Sequence, residues 1–184
     1  MVLAAELPRR IKESLSSVQD AIKKSYTDIK WVKNENMHIT IKFLGNTKIE
    51  KINTIKNELT RSFSNNKKFS VVLKEIGAFP SLDSPRIIWA GFLDRDSGLE
   101  NFVNLSESLF EKLGFPKEIR AFRAHATIGR VRSGKNLPAL IEQLKKINQL
   151  LEPGDFYIDK LCLMESALTG KGPVYSTIQE IELF

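Results

Sequence analysis

Met37-His38-Ile39-Thr40-Ile41-Lys42-Phe43-Leu44-Gly45 alternates polar with apolar side chains, closes on a glycine and carries one of the chain's two histidines. Side chains two apart in a strand share a face, so His38, Thr40 and Lys42 are expected on one side and Ile39, Ile41 and Phe43 on the other. The apolar row can pack against helices; the polar row needs another use. The second histidine stands in Arg123-Ala124-His125-Ala126-Thr127-Ile128-Gly129-Arg130, again two places before a threonine. Both histidines therefore occur in one local device, with imidazole and hydroxyl on the same strand face. This pair is the expected working centre.

The bulk properties set bounds around it. A chain of 184 residues with 42% hydrophobic content suits one compact domain, or two small lobes sharing a core. A net charge of +6 and a pI near 9.4 fit either a solvated basic surface or a polyanionic ligand such as RNA, and charge alone does not choose. The single cysteine, Cys162, excludes an intramolecular disulfide and a cysteine-based zinc cluster. Its setting, Ile158 to Met164, reads as a buried strand. The opening Met1-Val2-Leu3-Ala4-Ala5-Glu6-Leu7-Pro8 is too short for a signal h-region, and no apolar run reaches membrane-spanning length. The expectation is a soluble, cytoplasmic monomer with no membrane contact.

Taken in order, Val2 to Leu7 reads as a short buried strand stopped by Pro8, which suits the first turn of a helix. Ile11, Leu15, Val18 and Ile22 then recur at helical spacing to about Lys24. Ile29 to Lys33 is a short strand, and Asn34-Glu35-Asn36 a turn into the His38 strand. Ile49, Ile52, Ile55 and Leu59 mark a second helix. Phe69 to Ile76 is strand-like and ends at Gly77-Ala78-Phe79-Pro80-Ser81; Arg86 to Phe92 is the next strand. Leu99, Phe102, Leu105, Leu109 and Leu113 mark a third helix closed by Gly114 as its C-cap. A fourth runs from Pro138 to Leu150. Phe156 to Met164 and Val174 to Leu183 are two final strands around a Thr169-Gly170-Lys171-Gly172-Pro173 turn. Strand pairs mixed with helices predict an α+β fold: two pseudo-symmetric lobes of largely antiparallel sheet, outer helices, and a central cleft with one histidine from each lobe. The chain is expected to form a single two-lobed domain over residues 1–184.

Two histidines can divide acid and base work near neutral pH. In phosphodiester chemistry one neutral imidazole takes a proton from the attacking oxygen and one imidazolium protonates the leaving oxygen. Thr40 and Thr127 can donate to the phosphoryl group between them. Residue types do not tell acid from base. No carboxylate stands at a diagnostic spacing to complete a metal site, which usually takes three protein ligands, so no metal and no cofactor are expected. A non-enzymatic RNA- or nucleotide-binding module is the competing class, though binding alone needs no acid–base pair.

His38-Ile39-Thr40-Ile41 and His125-Ala126-Thr127-Ile128 resemble the paired H-x-T-x signatures of the two-histidine phosphoesterase superfamily. Lys42-Phe43-Leu44-Gly45, Phe79-Pro80, Arg86-Ile87-Ile88-Trp89-Ala90-Gly91, Gly129-Arg130 and Leu168-Thr169-Gly170-Lys171-Gly172-Pro173-Val174-Tyr175 resemble its RNA 2′,3′-cyclic phosphodiesterase branch, long called 2′-5′ RNA ligases. The resemblance covers nearly the whole chain. It departs in Met1-Val2-Leu3-Ala4-Ala5, where Arg-x-Phe-x-Ala is usual, and at Ala126, where a bulkier aliphatic is usual. It implies a bilobal fold and metal-free hydrolysis of an RNA terminal 2′,3′-cyclic phosphate to a 2′-phosphate, with His38 as proton donor and His125 as proton acceptor. RNA joining by the reverse reaction is its alternative. The resemblance places Arg130 on the phosphate; strict alternation sets Arg130 opposite His125 unless Gly129 lets the strand bulge. Lys42 is expected on the His38 face, adding positive potential. Phe79, Arg86 and Tyr175 are further candidates for contact with the terminal base, with RNA ends or small cyclic nucleotides as partners. Trp31 and Trp89 are assigned to packing.

Overall fold

The computed structural model describes residues 1–169 and 172–184. Gly170 and Lys171, the middle of the expected glycine-rich turn, lie outside the described residues. The described strands are β1 (Val2–Glu6), β2 (Ile29–Trp31), β3 (His38–Phe43), β4 (Phe69–Ser81), β5 (Ser84–Asp94), β6 (His125–Val131), β7 (Gly154–Ile158), β8 (Lys160–Thr169) and β9 (Gly172–Glu182). The α-helices are α1 (Arg9–Lys23), α2 (Ile49–Phe63), α3 (Gly98–Lys112) and α4 (Leu137–Leu150). All strand pairs are antiparallel, in a four-stranded sheet ordered β3-β1-β8-β9 and a five-stranded sheet ordered β2-β6-β5-β4-β7.

The helices form where apolar side chains recur on one side. α1 follows Pro8, whose backbone is already set at φ −57, and buries Ile11, Leu15, Val18 and Ile22. α3 buries Leu99, Phe102, Val103, Leu109 and Phe110. Gly114 then takes φ +83, and Phe115 N–H donates back to Phe110 O at 2.9 Å, closing the helix as a left-handed glycine allows. One buried cluster draws Leu3, Ala5, Ile39 and Leu161 from the smaller sheet together with Val71, Ile88, Ala126 and Ile158 from the larger, and the helices cover it.

The lobes are not the two halves of the chain. β1 and β3 join the C-terminal β8 and β9, while β2 joins β6 in the other sheet. The stretch expected as one strand from Phe156 to Met164 is two. Asp159 interrupts it and its carbonyl accepts from Leu183 N–H at 2.8 Å; β7 before it pairs with β4, and β8 after it pairs with β1. Apolar residues continue on both sides of the break, so periodicity cannot reveal it. Likewise β4 does not stop at Ile76 but runs through Gly77 to Ser81, paired with β5 to the end of the hairpin.

Both histidine strands carry the same irregularity. In β3, Leu3 pairs with Lys42 and Ala4 with Thr40, leaving Ile41 as an extra residue. In β6, Ile88 pairs with Gly129 and Trp89 with Thr127, leaving Ile128 extra. Each His-x-Thr-Ile therefore ends in a β-bulge, which shifts the alternation by one. The carbonyl freed at Ile128 is satisfied by Val32 N–H at 3.0 Å and by Gln19 Nε2 at 2.8 Å, and Gln19 also donates to Val32 O at 2.8 Å. Gln19 is buried in α1, so helix and bulge are locked together. Gln19→Leu removes both donors while keeping the volume. It is expected to cost about 1–3 kcal/mol, read as a lower denaturant midpoint with an unchanged m-value.

Candidate active site

β3 and β6 belong to different sheets but pack against each other, which brings His38 and His125 to one cleft. Each imidazole is held in the same way. His38 Nδ1 lies 2.8 Å from Asn36 O, and His125 Nδ1 lies 2.7 Å from Arg123 O. A carbonyl can only accept, so in both rings Nδ1 carries the proton and Nε2 is the nitrogen left for chemistry. His38 has its pKa lowered, first because burial disfavours the imidazolium and further by the charges of Lys12 and His125; the Asn36 carbonyl opposes this. The charge of one histidine thus acts on the other across the cleft.

Aromatic rings set both imidazoles. Tyr175 packs edge-on against His38, centroids 4.9 Å apart at 74°. On the same face Tyr175 meets Val2, Ala4, Cys162 and Met164, a small apolar cluster separate from the main core. Across the cleft, Phe79 meets His125 at 5.2 Å and 90°, and Trp89 meets it at 6.2 Å and 70°. Phe79 and Trp89 pack on each other at 5.0 Å. The indole lies over glycines: a Cβ on Gly77 would sit 2.3 Å from Trp89 Cζ2, and one on Gly91 would sit 2.7 Å from Cζ3. Trp89 is therefore part of the bed under His125 and not only packing. The bare backbone at Gly77 and Gly91, with Trp89 paired to Gly77, is the signal that could have found it.

The bulges decide the remaining candidates. Thr40 pairs with Ala4, and Thr127 pairs with Trp89, so both threonines face the cleft with their histidines. Arg130 pairs with Ile87, two residues from Trp89 along β5, and so returns to the His125 face beyond the bulge. The same shift removes Lys42 from that role. Lys42 does not share the His38 face: it is buried, bonded to Glu107 Oε2 at 2.7 Å and to Pro116 O at 2.7 Å. Phe43, expected inside, is instead 66% exposed and pairs with Val2 on the cleft side. Arg86 is exposed at the irregularity opposite Phe79 and Pro80, near the hairpin end, and no described contact joins it to either histidine.

Glu6 is a residue that the spacing of motifs did not single out. It pairs directly with His38 across β1 and β3, and its Oε1 accepts from Lys12 Nζ at 3.0 Å. The nearest approach to a metal donor set among the described residues is Glu6, Cys162 and Glu180, which does not include a histidine. Its donors are otherwise engaged. Lys12 holds Glu6, Lys160 holds Glu180 at 2.9 Å, and burial pushes the Cys162 thiol up to about 12, so it stays protonated. The arrangement is an ion-pair network around a thiol.

Two antiparallel sheets that each present His-x-Thr to a common cleft define a two-histidine phosphoesterase. The chain belongs to the family described as LigT like Phosphoesterase, whose model matches residues 6–89 and 93–175, with one histidine in each segment. An RNA 2′,3′-cyclic phosphodiesterase of Methanocaldococcus jannaschii is 37% identical over 180 residues, 98% of this chain and 98% of that protein. One of Aeropyrum pernix is 31% identical over 170 residues, 91% of this chain and 94% of that protein. Among solved structures, TT0787 of Thermus thermophilus matches with a TM-score of 0.80 at 21% identity, covering 99% of this chain and 96% of that one. E. coli LigT complexed with 3′-AMP matches with a TM-score of 0.75 at 21% identity, with coverages of 99% and 96%. These structural likenesses speak for the fold. No helix among the described residues is long and apolar enough to cross a membrane.

Two measurements check this geometry. Gly77→Ala should force Trp89 off its seat, costing about 1–3 kcal/mol by overpacking and shifting tryptophan emission to the red. Gly134→Ala, where an added Cβ meets nothing within 4 Å, should do neither. The second is an NMR titration of His38, whose midpoint should fall below the ordinary 6.5. The unfolded chain then takes up that proton first. The neutral ring's contribution to stability is full above about pH 6.5 and is lost as pH falls through the lower folded-state value.

Proposed function

We propose that this chain hydrolyses the terminal 2′,3′-cyclic phosphate of RNA to a 2′-phosphate without a metal. The reading is supported above all by two imidazoles on packed strands of different sheets, each fixed with Nδ1–H on a backbone carbonyl and Nε2 left free. It is supported also by relatives up to 37% identical over nearly the full length that carry the name RNA 2′,3′-cyclic phosphodiesterase. The whole 184-residue chain works as one two-lobed unit, a cytoplasmic monomer acting on RNA ends or small cyclic nucleotides.

In this mechanism His125 Nε2 accepts a proton from water as the water oxygen forms a bond to phosphorus. The bond from phosphorus to the 3′ oxygen breaks, and that oxygen takes the proton from His38 Nε2. The product keeps its phosphate on the 2′ oxygen and has a free 3′ hydroxyl; solvent then returns the two imidazoles to their starting states. The donor's part falls to His38 by the position of its signature in the family, and His38 acts there as the imidazolium, the form that burial disfavours. Thr40, Thr127 and Arg130 supply donors to the phosphoryl oxygens as charge builds. Tyr175 and Phe79 hold the rings and border the terminal nucleoside.

The test is an oligonucleotide ending in a 2′,3′-cyclic phosphate, incubated with the protein and EDTA, with the phosphate position read in the product. Full turnover to the 2′-phosphate is expected in chelator. His38→Ala and His125→Ala should each lower kcat by about 10²- to 10⁴-fold while circular dichroism shows the fold retained. The double variant should be scarcely worse than either single one, because the two groups act as a unit. A 3′-phosphate product, or turnover abolished by EDTA, would overturn the mechanism.

A further inference from the structure

The cleft-facing row on β6 continues past His125, away from Arg130. Phe92 N–H donates to Ala124 O at 3.0 Å, so the chain is already paired with β5 one residue before β6 begins. Ala124 packs against the core as Ala126 and Ile128 do, which leaves Arg123 on the face of His125 and Thr127. Arg123 is exposed, and among the described residues its guanidinium is held by no ion pair or hydrogen bond. Its carbonyl, by contrast, fixes His125 Nδ1 at 2.7 Å. Backbone precision and a free side-chain cation thus meet at one residue. Read along the face, the order is Arg123, His125, Thr127, then Arg130 beyond the bulge.

Two residues of strand advance about 7 Å, which is comparable to the step between neighbouring phosphates on a single strand. A phosphate reacting at His125 would therefore set the next phosphodiester within reach of the Arg123 fork, whose geometry matches two phosphate oxygens. We propose that Arg123 binds the internucleotide phosphate adjoining the reacting end, so that the cleft is built for a polynucleotide in preference to a cyclic mononucleotide. This rests on the reading of His38 and His125 as the reacting pair. Arg130 serves the terminal phosphate and Arg123 the one before it, which gives the two cations on this face different substrates to recognise.

The test compares a 2′,3′-cyclic mononucleotide with a short oligonucleotide ending in a 2′,3′-cyclic phosphate, over a range of salt, in wild type, Arg123→Ala and Arg123→Lys. Arg123→Ala keeps the carbonyl that orients His125. It should raise KM for the oligonucleotide about tenfold and reduce the slope of log kcat/KM against log salt by about 0.7. It should leave kcat and KM for the mononucleotide unchanged. Arg123→Lys should retain the salt slope, since it keeps the charge. Equal losses on both substrates would make Arg123 a support for His125 and overturn the proposal, as would no change on either. Wild type that hydrolyses the mononucleotide as efficiently as the oligonucleotide would also overturn it, leaving the phosphodiesterase reading intact. Wild type inactive on both would remove that reading and this inference together.

Discussion

Burial of one face of each sheet is the constraint on which the rest of this molecule depends. The smaller sheet hides Leu3, Ala5, Ile39 and Leu161, and the larger hides Val71, Ile88 and Ala126, in the same core. Each sheet then has a second face to spare, and β3 and β6 turn those faces toward a common cleft. A polar row that would be solvated on an isolated sheet becomes a half-enclosed site between two. That enclosure is what lowers the pKa of His38 and what strengthens any hydrogen bond made to an anion there.

The two halves of the site share a device and differ in their surroundings. Both imidazoles are oriented by the carbonyl two residues upstream, and both strands bulge at the isoleucine after the threonine. The bulge has opposite-looking consequences on the two sides. In β3 it sends Lys42 inward, where Glu107 and Pro116 O receive its ammonium; in β6 it sends Gly129 inward against Ile29 and Trp31, where no side chain fits well. A buried lysine with a hydrogen-bonded carboxylate ties β3 to α3, and a glycine lets β2 close on β6. Beyond the bulges, Phe43 and Arg130 occupy matching places on the cleft side. Around the rings the symmetry ends: His38 has Tyr175 and the Glu6–Lys12 pair, while His125 rests on Phe79 and Trp89. The two like rings therefore sit in unequal surroundings, as the proposed division into donor and acceptor requires.

Much of this was readable from spacing. The four helices follow from apolar recurrence, the end of α3 from Gly114, and the face shared by each histidine and its threonine from strand alternation. The side chains that simple alternation misplaces are Lys42, Phe43 and Arg130, and all three lie past a bulge. Strand membership was also hidden. Asp159 looks like one polar residue in an apolar strand, yet it is where the chain leaves one sheet for the other. Trp89 reads as packing until the bare backbone of Gly77 beneath it and His125 beside it are seen together.

The sequence by itself determined the α+β class, the helices, and two His-x-Thr strands with a polar face in want of a partner. These are local properties, set by side-chain period and by turn residues within a few positions of one another. Only the tertiary structure decided that the partners are each other, that the lobes interleave the chain's halves, and that a one-residue bulge buries Lys42 while returning Arg130 to the cleft. Those outcomes depend on pairing between strands far apart in the chain, and a register shift of one residue leaves no local mark in the sequence that undergoes it.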